Sequence, residues 1–297
     1  MKRFTTAHQK SYEQDGYVLL PKFFSAAEAA LVYETANNDA VLKSRIVDRG
    51  DRDGFRTRLT LWYSLDDDIY SMVARSERVV DAVELLLGGT AAHHHTKLNQ
   101  KEPRTGGAWE WHQDYGYWYH DGFLFPEMLS VVTALTPSTR RHGCLQVIRG
   151  SHRLGRLEHG LAGEQVGAQS ERLDEVLKRL DKVYVEMQPG DSVFLHCNLL
   201  HRSDRNESDE TRWSLISAYN LTSNVPYKDV RQSSFTPIIK VPDDAILKWQ
   251  SRGKTEDADF LLKAGVGFLQ GYYFGRPALK RNWLPGQSII PVPLVAE

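Results

Sequence analysis

The chain has 297 residues, 41% of them hydrophobic, so it can bury a sizeable core, and we expect one large domain with appendages. Its 37 basic and 38 acidic residues give a formal net charge of -1, which leaves no electrostatic footprint for nucleic acid or an anionic membrane. The predicted partner is therefore a small molecule, and the composition leaves the oligomeric state open.

The cysteine content and the hydropathy pattern bear on the compartment. Cys144 and Cys197 are too few for a disulfide framework, and no charged-then-apolar leader opens the sequence. No apolar run approaches the ~20 residues that a membrane-spanning helix needs. We therefore expect a cytoplasmic protein.

Residues 1–92 predict a mainly helical lead-in. The run "DGYVLLPKFF" is typical of a short strand, and Ser25 with Glu28 matches a capping box that opens a helix through about Asn37. A second helix begins at Ser76 and ends at the glycine pair after Leu87. Between them, the charged and glycine-punctuated "RIVDRGDRDGFRTR" predicts a solvated loop, with a substrate lid as the alternative.

Residues 93–225 consist of short apolar runs broken by turn residues, a pattern typical of antiparallel sheets. A helix is predicted near residues 170–181, inside this series. Residues 226–297 form a C-terminal extension, with a short helix near Asp243 to Gln250. The predicted fold is mainly β with helical decoration: a double-stranded β-helix, or cupin-like jelly roll, in a single domain 1–297. The predicted strands lie in "HHHTKLN", "MLSVVTALT", "CLQVIRG", "KVYVEMQ", "SVFLH" and "RWSLISAYNL".

The stretch "WEWHQDYGYWYHDG" carries the first candidate metal ligands. In an extended segment His112 and Asp114 project to the same face, where an imidazole and a carboxylate can share one metal ion, while Gln113 points away. A hydrogen-bonded surface pair is the alternative, so a third ligand is required. Sequence spacing does not choose among the downstream candidates, which are His142, His152, His159, His196 and His201.

Several motifs together resemble the phytanoyl-CoA dioxygenase family of iron(II)/2-oxoglutarate oxygenases, which includes the ectoine hydroxylases. These are "WHQD", "GCLQVIRGSH", "QPGDSVFLHCNLLHRSDRNES" and "TRWSLISAYN", and "DGYVLLPKFFSAAEAALV" is similar to the family's usual lead-in. The resemblance covers most of the chain. It implies His112, Asp114 and His201 as iron ligands, with Ser203 two residues and Arg212 eleven residues past the last ligand.

The residue chemistry agrees with this resemblance. Two imidazoles and one carboxylate leave open positions on Fe(II) for a bidentate 2-oxo acid and O2. Arg212 offers a planar fork for the far carboxylate of 2-oxoglutarate, supported by the hydroxyl of Ser203. Lys97 and Asn99 share one face of a predicted strand, and the resemblance implies that this strand borders the co-substrate.

The aromatic residues after the metal motif predict a substrate wall. Tyr115, Tyr117, Trp118 and Tyr119 follow the ligands directly, and the resemblance to the ectoine-hydroxylase branch implies that this stretch borders the substrate. Strand alternation would send Tyr117 and Tyr119 to one side and Trp118 to the other. Ring faces suit an amphipathic or cationic metabolite. By the same alternation, the histidines of "HHH" cannot all bind one metal.

The predicted function is a non-haem Fe(II)/2-oxoglutarate-dependent dioxygenase. It would hydroxylate a C–H bond of a small zwitterionic or cationic metabolite, using O2 and releasing succinate and CO2. One alternative is a jelly-roll isomerase or hydrolase that uses another metal on the same three ligands. The other is a non-catalytic ligand-binding module.

Overall fold

The computed structural model describes residues 4–249, which form two antiparallel sheets packed face to face with helices around them. The helices of this part are α1 (Thr6–Asp15), α2 (Ala26–Asn38), α3 (Ala40–Ser44), α4 (Ile69–Ala74), α5 (Glu77–Leu87), α6 (Tyr115–Trp118), α7 (Ser170–Leu177) and α8 (Ala245–Lys248).

The strands of the same part follow in chain order. They are β1 (Tyr17–Leu20), β2 (Val47–Gly50), β3 (Arg56–Trp62), β4 (Ala91–Lys101), β5 (Trp109–His112), β6 (Met128–Ala134), β7 (Leu145–Ile148), β8 (His159–Ala162), β9 (Gln165–Ala168), β10 (Lys182–Val185), β11 (Ser192–His196), β12 (His201–Ser203), β13 (Arg212–Leu221) and β14 (Thr236–Pro237).

The larger sheet has the order β1-β11-β6-β13-β4-β3-β2, with β14 paired to β4, and the smaller sheet has the order β10-β7-β12-β5. A separate hairpin, β8–β9, contacts β5 through the side chain of Gln165, which bonds the backbone of Ala108 and Glu110. Neighbours in both sheets come from distant parts of the chain and run antiparallel, as in a jelly roll. The predicted fold class is confirmed.

The helical lead-in covers the outer face of the larger sheet. Ser25 and Glu28 form the predicted capping box, and α5 ends at Gly88 in the left-handed conformation that glycine adopts without strain. The apolar stripe of α5 packs with Leu98 of β4 and Leu215 of β13 in one buried cluster. Burial of this stripe explains why the helices lie on the sheet rather than apart from it.

A second core lies between the two sheets. Val132 and Val193 of the larger sheet pack there against Val147 and Val185 of the smaller one. Because side chains alternate along a strand, the same strands bury their other face under the helices. Beyond the smaller sheet, α7 packs on Trp111 and Leu200 in a third cluster.

The segment predicted as a solvated loop is instead a hairpin. Strand β2 pairs with β3, and β3 pairs with β4, so both strands extend the edge of the larger sheet. Asp51 holds the connecting turn, accepting hydrogen bonds from the N–H groups of Asp53 and Phe55. The loop prediction was wrong because exposed, charged edge strands lack an apolar alternation.

The other elements match the prediction more closely. The six predicted strand runs contain β4, β6, β7, β10, β11 and β13, and the inserted helix is α7. The predicted helix near the C-terminus is present as α8, while Gln250 and the rest of the extension lie outside the described residues. The domain boundaries stay a prediction. Among residues 4–249, no helix combines the length and the apolar character that crossing a bilayer requires.

Candidate metal centre

His112 and His201 lie side by side on paired strands of the smaller sheet. The register of β5 and β12 places these two residues directly opposite each other, and their ring centroids are 4.1 Å apart. Nδ1 of His112 is 2.6 Å from the carbonyl oxygen of Glu110, and Nδ1 of His201 is 2.9 Å from that of Leu199. A carbonyl only accepts, so each Nδ1 carries the proton and each Nε2 keeps its lone pair for a metal.

Asp114 reaches the same point from a different local structure. Strand β5 ends at His112, and Asp114 already has helical backbone angles at the start of α6. Its Oδ1 lies 4.0 Å from Nε2 of His112 and 3.9 Å from Nζ of Lys97. Its Oδ2 accepts a 2.6 Å hydrogen bond from Oγ of Ser130 on β6. Asp114 therefore faces the imidazoles because the chain turns from β5 into α6. The strand alternation that was predicted for this pair is not present.

One ligand atom from each of His112, Asp114 and His201 lies within 4.8 Å of the other two. Burial, and then the neighbouring His201, hold the pKa of His112 well below its ordinary value. Burial would raise the pKa of Asp114, but Lys97 and the two imidazoles outweigh it and lower that pKa from 3.8 to about 2. The cluster thus offers neutral imidazole and ionised carboxylate, which are the protonation states that metal binding requires.

Gln113, between the two ligands, points away and fixes the loop from behind. Its side-chain amide donates to the carbonyl oxygens of Asn198 at 2.7 Å and Gly155 at 2.8 Å, and its Oε1 accepts from the N–H of Leu157 at 2.7 Å. The N–H of Gln113 donates to Nε2 of His159 at 2.9 Å. His159 therefore supports the motif from outside the cluster.

The other candidate third ligands lie elsewhere. His142 bonds Thr139 and Glu210 near the surface. His152 and His196 contact each other, with ring centroids 5.2 Å apart, and His196 also contacts Tyr12 of α1. Within residues 4–249, the cluster of His112, Asp114 and His201 is the one group of ligand-type side chains close enough to hold a metal ion.

Arg212 is a buried cation at the start of β13 with only neutral hydrogen-bond partners among the described residues. Its Nη1 donates to the carbonyl oxygen of Gly143, its Nη2 lies 3.5 Å from Oγ of Ser214, and its Nε is buried without a partner. Oγ of Ser203 and Oδ1 of Asn99 are buried without a partner as well. Such unsatisfied groups are costly in an empty interior and indicate a polar ligand.

The aromatic segment forms one turn of helix, α6, so the predicted alternation of its side chains is wrong. Tyr117 contacts the ring of His112 at 5.6 Å and donates to the carbonyl oxygen of Val166 at 2.6 Å. Trp118 is 2% exposed. Tyr115 packs inward and donates to the carbonyl oxygen of Phe123, whereas Tyr119 is 43% exposed and stacks under Arg156. Tyr117 and Trp118 are therefore the members nearest the cluster and the barrel interior.

A bulge in β4 brings two of the three consecutive histidines to one side of the sheet. The register shifts between Ala218, which pairs with His95, and Tyr219, which pairs with His93, so His94 is an extra residue. His94 and His95 have ring centroids 4.4 Å apart, and both present an edge-to-face contact to Trp118, at 5.3 and 5.7 Å. We call this group, with Tyr63 beside it at 6.4 and 6.0 Å, the histidine box.

His93 lies on the opposite face, against Tyr219 and Thr96. The three histidines therefore lie on both faces of the sheet, in agreement with the prediction that they cannot all bind one metal. The bulge, which strand alternation alone did not predict, places His94 on the same face as His95. In the box, Nδ1 of His94 bonds the carbonyl oxygen of Ser234 at 3.0 Å, and Nε2 of His95 is buried without a partner. Burial is the main cause that lowers the pKa of His94 to about 4, so its imidazole is neutral at physiological pH.

The inward-facing rows of the larger sheet place these groups in sequence along the barrel. His95 shares a row with Ala218 and Ser130, and Lys97 lies in the next row. Asn99 and Ser214 follow, and then Lys101 beside Arg212. At roughly 3.3 Å per residue, His95 and Lys101 are about 20 Å apart along β4. The three-residue cluster lies between them, at the level of Ser130 and Lys97, so Arg212 and the histidine box occupy opposite ends.

The sequence analysis did not identify Ser130 or the histidine box, which includes Tyr63. Ser130 is one of two hydroxyl residues in the otherwise apolar run of β6, and its inward position in such a run is the signal that could have marked it. The bulge has no comparable signal, because no glycine or proline interrupts "HHHTKLN".

Comparison with known proteins gives a family match over most of the described chain. The model of the family described as phytanoyl-CoA dioxygenase matches residues 12–214. An L-proline trans-4-hydroxylase of Streptomyces griseoviridis is 30% identical over 201 residues, covering 61% of this chain and 75% of the relative. An ectoine dioxygenase of Stutzerimonas stutzeri is 27% identical over 228 residues, covering 72% of this chain and 76% of the relative.

Solved structures show the same fold. The crystal structure of EctD from S. alaskensis in its apoform aligns with a TM-score of 0.66 at 25% identity, covering 80% of this chain and 88% of that protein. The structure of the same protein with 2-oxoglutarate and 5-hydroxyectoine aligns over the same shares, with a TM-score of 0.65 at 24% identity.

Proposed function

The chain belongs to the phytanoyl-CoA dioxygenase family, and on this premise we propose that it is a non-haem Fe(II)/2-oxoglutarate-dependent dioxygenase that hydroxylates a C–H bond of a small metabolite. The observation that carries the proposal is the convergence of two Nε2 lone pairs and one carboxylate in a buried cluster, with each Nδ1 committed to a backbone carbonyl. The three ligands are His112, Asp114 and His201.

The donor set fits Fe(II). Two imidazoles and one carboxylate are the facial triad of non-haem iron oxygenases, which leaves positions free for a bidentate 2-oxo acid and O2. When bound, the iron supplies the O2-dependent decarboxylation of 2-oxoglutarate to succinate and CO2 and the oxidation of the substrate C–H bond. Ser130 holds Oδ2 of Asp114, so Oδ1 is the oxygen that faces the imidazoles.

The co-substrate lies at the Arg212 end of the barrel. A buried guanidinium without a carboxylate partner among the described residues is unfavourable until an anion reaches it, and a bidentate carboxylate matches its planar fork. Oγ of Ser203 and the amide of Asn99 supply further hydrogen bonds there. Lys97, whose Nζ lies 3.9 Å from Oδ1 of Asp114, would offer its ammonium group to the other carboxylate of 2-oxoglutarate.

The substrate lies at the histidine box. Its walls are neutral rings that exclude water from the reacting bond, and Tyr117 closes the side next to His112. Charges of both signs lie near Tyr63 of the box. The guanidinium of Arg231 stacks on its ring at 5.6 Å, and burial, followed by the negative charge of Asp121, raises the pKa of Tyr63. A small zwitterion matches this distribution, and one relative is named for L-proline, which is a zwitterion.

The compartment is the cytoplasm. Cys144 and Cys197, the two cysteines of the chain, are both buried free thiols, which suits a reducing environment. Burial raises the pKa of Cys144 to about 11, so its thiol is protonated and unreactive at neutral pH.

The test is turnover by the iron-loaded protein against amino acids, betaines and other small zwitterions. We expect succinate formation that depends on the substrate, and a product with one oxygen atom from labelled O2. His112→Ala, Asp114→Ala and His201→Ala should each abolish both signals and lower the iron content, with unchanged circular dichroism. His142→Ala is the matched control and should retain activity, since His142 lies outside the cluster. An isomerase or hydrolase that uses another metal on the same three ligands, or a binding module, would consume no 2-oxoglutarate, and that result would refute the proposal.

A further inference from the structure

Lys101 is a second buried cation at the co-substrate end of the barrel. It is the last residue of β4 and pairs directly with Arg212 on β13, so both side chains point to the same face. Its side chain is among the largest that are fully buried in the described part of the chain. Like charges opposite each other on neighbouring strands destabilise a sheet, so this arrangement needs a compensating reason.

The ammonium group of Lys101 is held by backbone carbonyls. Nζ donates to the carbonyl oxygen of Asp204 and lies 3.4 Å from that of Ser203; Ser203 ends β12 and Asp204 follows it. This contact spans the barrel from the larger sheet to the smaller one. It also fixes the two peptide groups that directly follow the Ser203 side chain, whose Oγ is buried without a partner among the described residues.

The charges around Lys101 leave the pocket positive. Arg212 on β13 and Arg202 on β12 repel the ammonium group, while Asp204 just after β12 and Asp51 in the β2–β3 turn attract it. Both carboxylates are engaged elsewhere: Asp204 bonds Arg202 and Gln146, and Asp51 accepts N–H groups from its own turn and from Ala108. Burial, and then Arg212, hold the pKa of Lys101 well below its ordinary value. An anion between the ammonium group of Lys101 and the guanidinium of Arg212 would offset their repulsion and would favour the charged form of Lys101.

We propose that Lys101 makes the co-substrate pocket selective for a 2-oxo acid with a second, distal carboxylate. It does so by adding a positive charge beside Arg212 and by holding the Ser203–Asp204 backbone in place. This inference rests on the proposed function, because it assigns the Arg212 end of the barrel to the co-substrate. Arg212 binds the distal carboxylate directly, and Lys101 is a positioning residue that strengthens the same site.

The experiment compares two co-substrates that differ only in the distal carboxylate. The binding of 2-oxoglutarate and of 2-oxopentanoate is measured by calorimetry on protein loaded with Zn²⁺, which supports binding without turnover. The variants are Lys101→Met, which removes charge and donor, and Lys101→Gln, which keeps an N–H donor. Gln100→Met is the matched control, because Gln100 lies on the same strand and bonds Glu102 instead of the pocket. Thermal unfolding of each variant is recorded without ligand.

We expect Lys101→Met to weaken 2-oxoglutarate binding by about 10- to 100-fold, as for loss of a charged hydrogen-bonding group, and to leave 2-oxopentanoate binding unchanged. Lys101→Gln should also lose the preference for 2-oxoglutarate over 2-oxopentanoate. If Lys101→Met does not fold, the result for Lys101→Gln tests the inference. The inference is overturned if a folded variant keeps the wild-type ratio of the two affinities, or if both affinities fall equally. Absence of 2-oxoglutarate binding to the wild type would instead refute the proposed function itself.

Discussion

Ser130 and Asp114 are joined by a 2.6 Å hydrogen bond between the hydroxyl of one and Oδ2 of the other. Ser130 lies inside β6, in the same inward row as Ala218 and His95, whereas Asp114 begins α6. The bond ties the carboxylate to the rigid larger sheet, although both imidazoles come from the smaller one. The orientation of the carboxylate therefore depends on how the two sheets pack.

We expect Ser130→Ala to lower metal affinity by about 10- to 100-fold, the usual cost of removing a hydrogen-bond partner of a metal ligand. The freed Oδ2 allows the carboxylate to rotate away from the imidazoles. Iron binding is measured by competition with a chelator. Ser138→Ala is the control, since the hydroxyl of Ser138 is buried and has no hydrogen-bond partner among residues 4–249. Equal metal affinity in the Ser130 and Ser138 variants would show that packing alone orients Asp114.

Arg212→Met should abolish co-substrate binding without unfolding the protein. The variant removes a buried charge that has no carboxylate partner among residues 4–249, so the free protein loses little stability. The measurement is the rise in melting temperature on adding 2-oxoglutarate, which the wild type should show and the variant should lack. Arg179→Met, at an exposed position just after α7, should keep the rise. A normal rise in the Arg212 variant would place the co-substrate anchor elsewhere.

His95→Leu should affect the prime substrate and spare the co-substrate. Nε2 of His95 is buried at the end of the barrel opposite Arg212 and has no hydrogen-bond partner in the described part of the chain. Its loss should raise the Michaelis constant of the substrate by about tenfold or more, the effect of one hydrogen bond to a polar substrate group, with that of 2-oxoglutarate unchanged. His93→Leu, on the other face of the sheet, is the matched control and should cost stability only. The assignment fails if both variants change substrate binding alike.

His196 makes the folded state sensitive to acid. Burial, and then His152, lower the pKa of His196 from 6.5 to about 4. The folded pKa lies below the unfolded one, so the stabilisation is present above pH 6.5 and is lost as the pH falls from there to about 4. His196→Asn keeps an acceptor for the N–H of Asn198 and cannot titrate.

We expect the loss of unfolding free energy between neutral pH and pH ~4.5 to be smaller in His196→Asn by about 1–3 kcal/mol. Urea unfolding at the two pH values measures it. His8→Asn, at a half-buried position in the first turn of α1, is the comparison and should follow the wild type. An identical pH dependence in all three proteins would mean that His196 is not a source of the acid sensitivity.

Much of the barrel was predictable because its strands bury both faces or alternate cleanly. The runs around Val131, Phe194 and Leu215 are rich in apolar residues and are buried on both sides, and turn residues separate them. The β2–β3 hairpin was not predictable, because its exposed side chains carry no signal that distinguishes an edge strand from a loop.

At the candidate site, the sequence predicted which three side chains come together, but not the backbone structure that brings them together. His112 and His201 meet through strand register, and Asp114 meets them after a turn into α6 that replaces the expected extended chain. Partners such as Ser130 become neighbours only through tertiary packing. Their roles as ligands and supports stay predictions that the variants above address.

Because of the bulge in β4, one residue of the histidine box could be gained or lost in evolution by a one-residue insertion or deletion. Because His95 pairs with Ala218 and His93 with Tyr219, the residues on both sides of His94 keep their register whether or not His94 is present. Deletion of that single codon would therefore remove one wall of the box and leave every inward side chain from His95 to Lys101 in its row. On the assignment proposed above, substrate preference can change by gain or loss of one residue, while the residues proposed for the metal and the co-substrate stay in place.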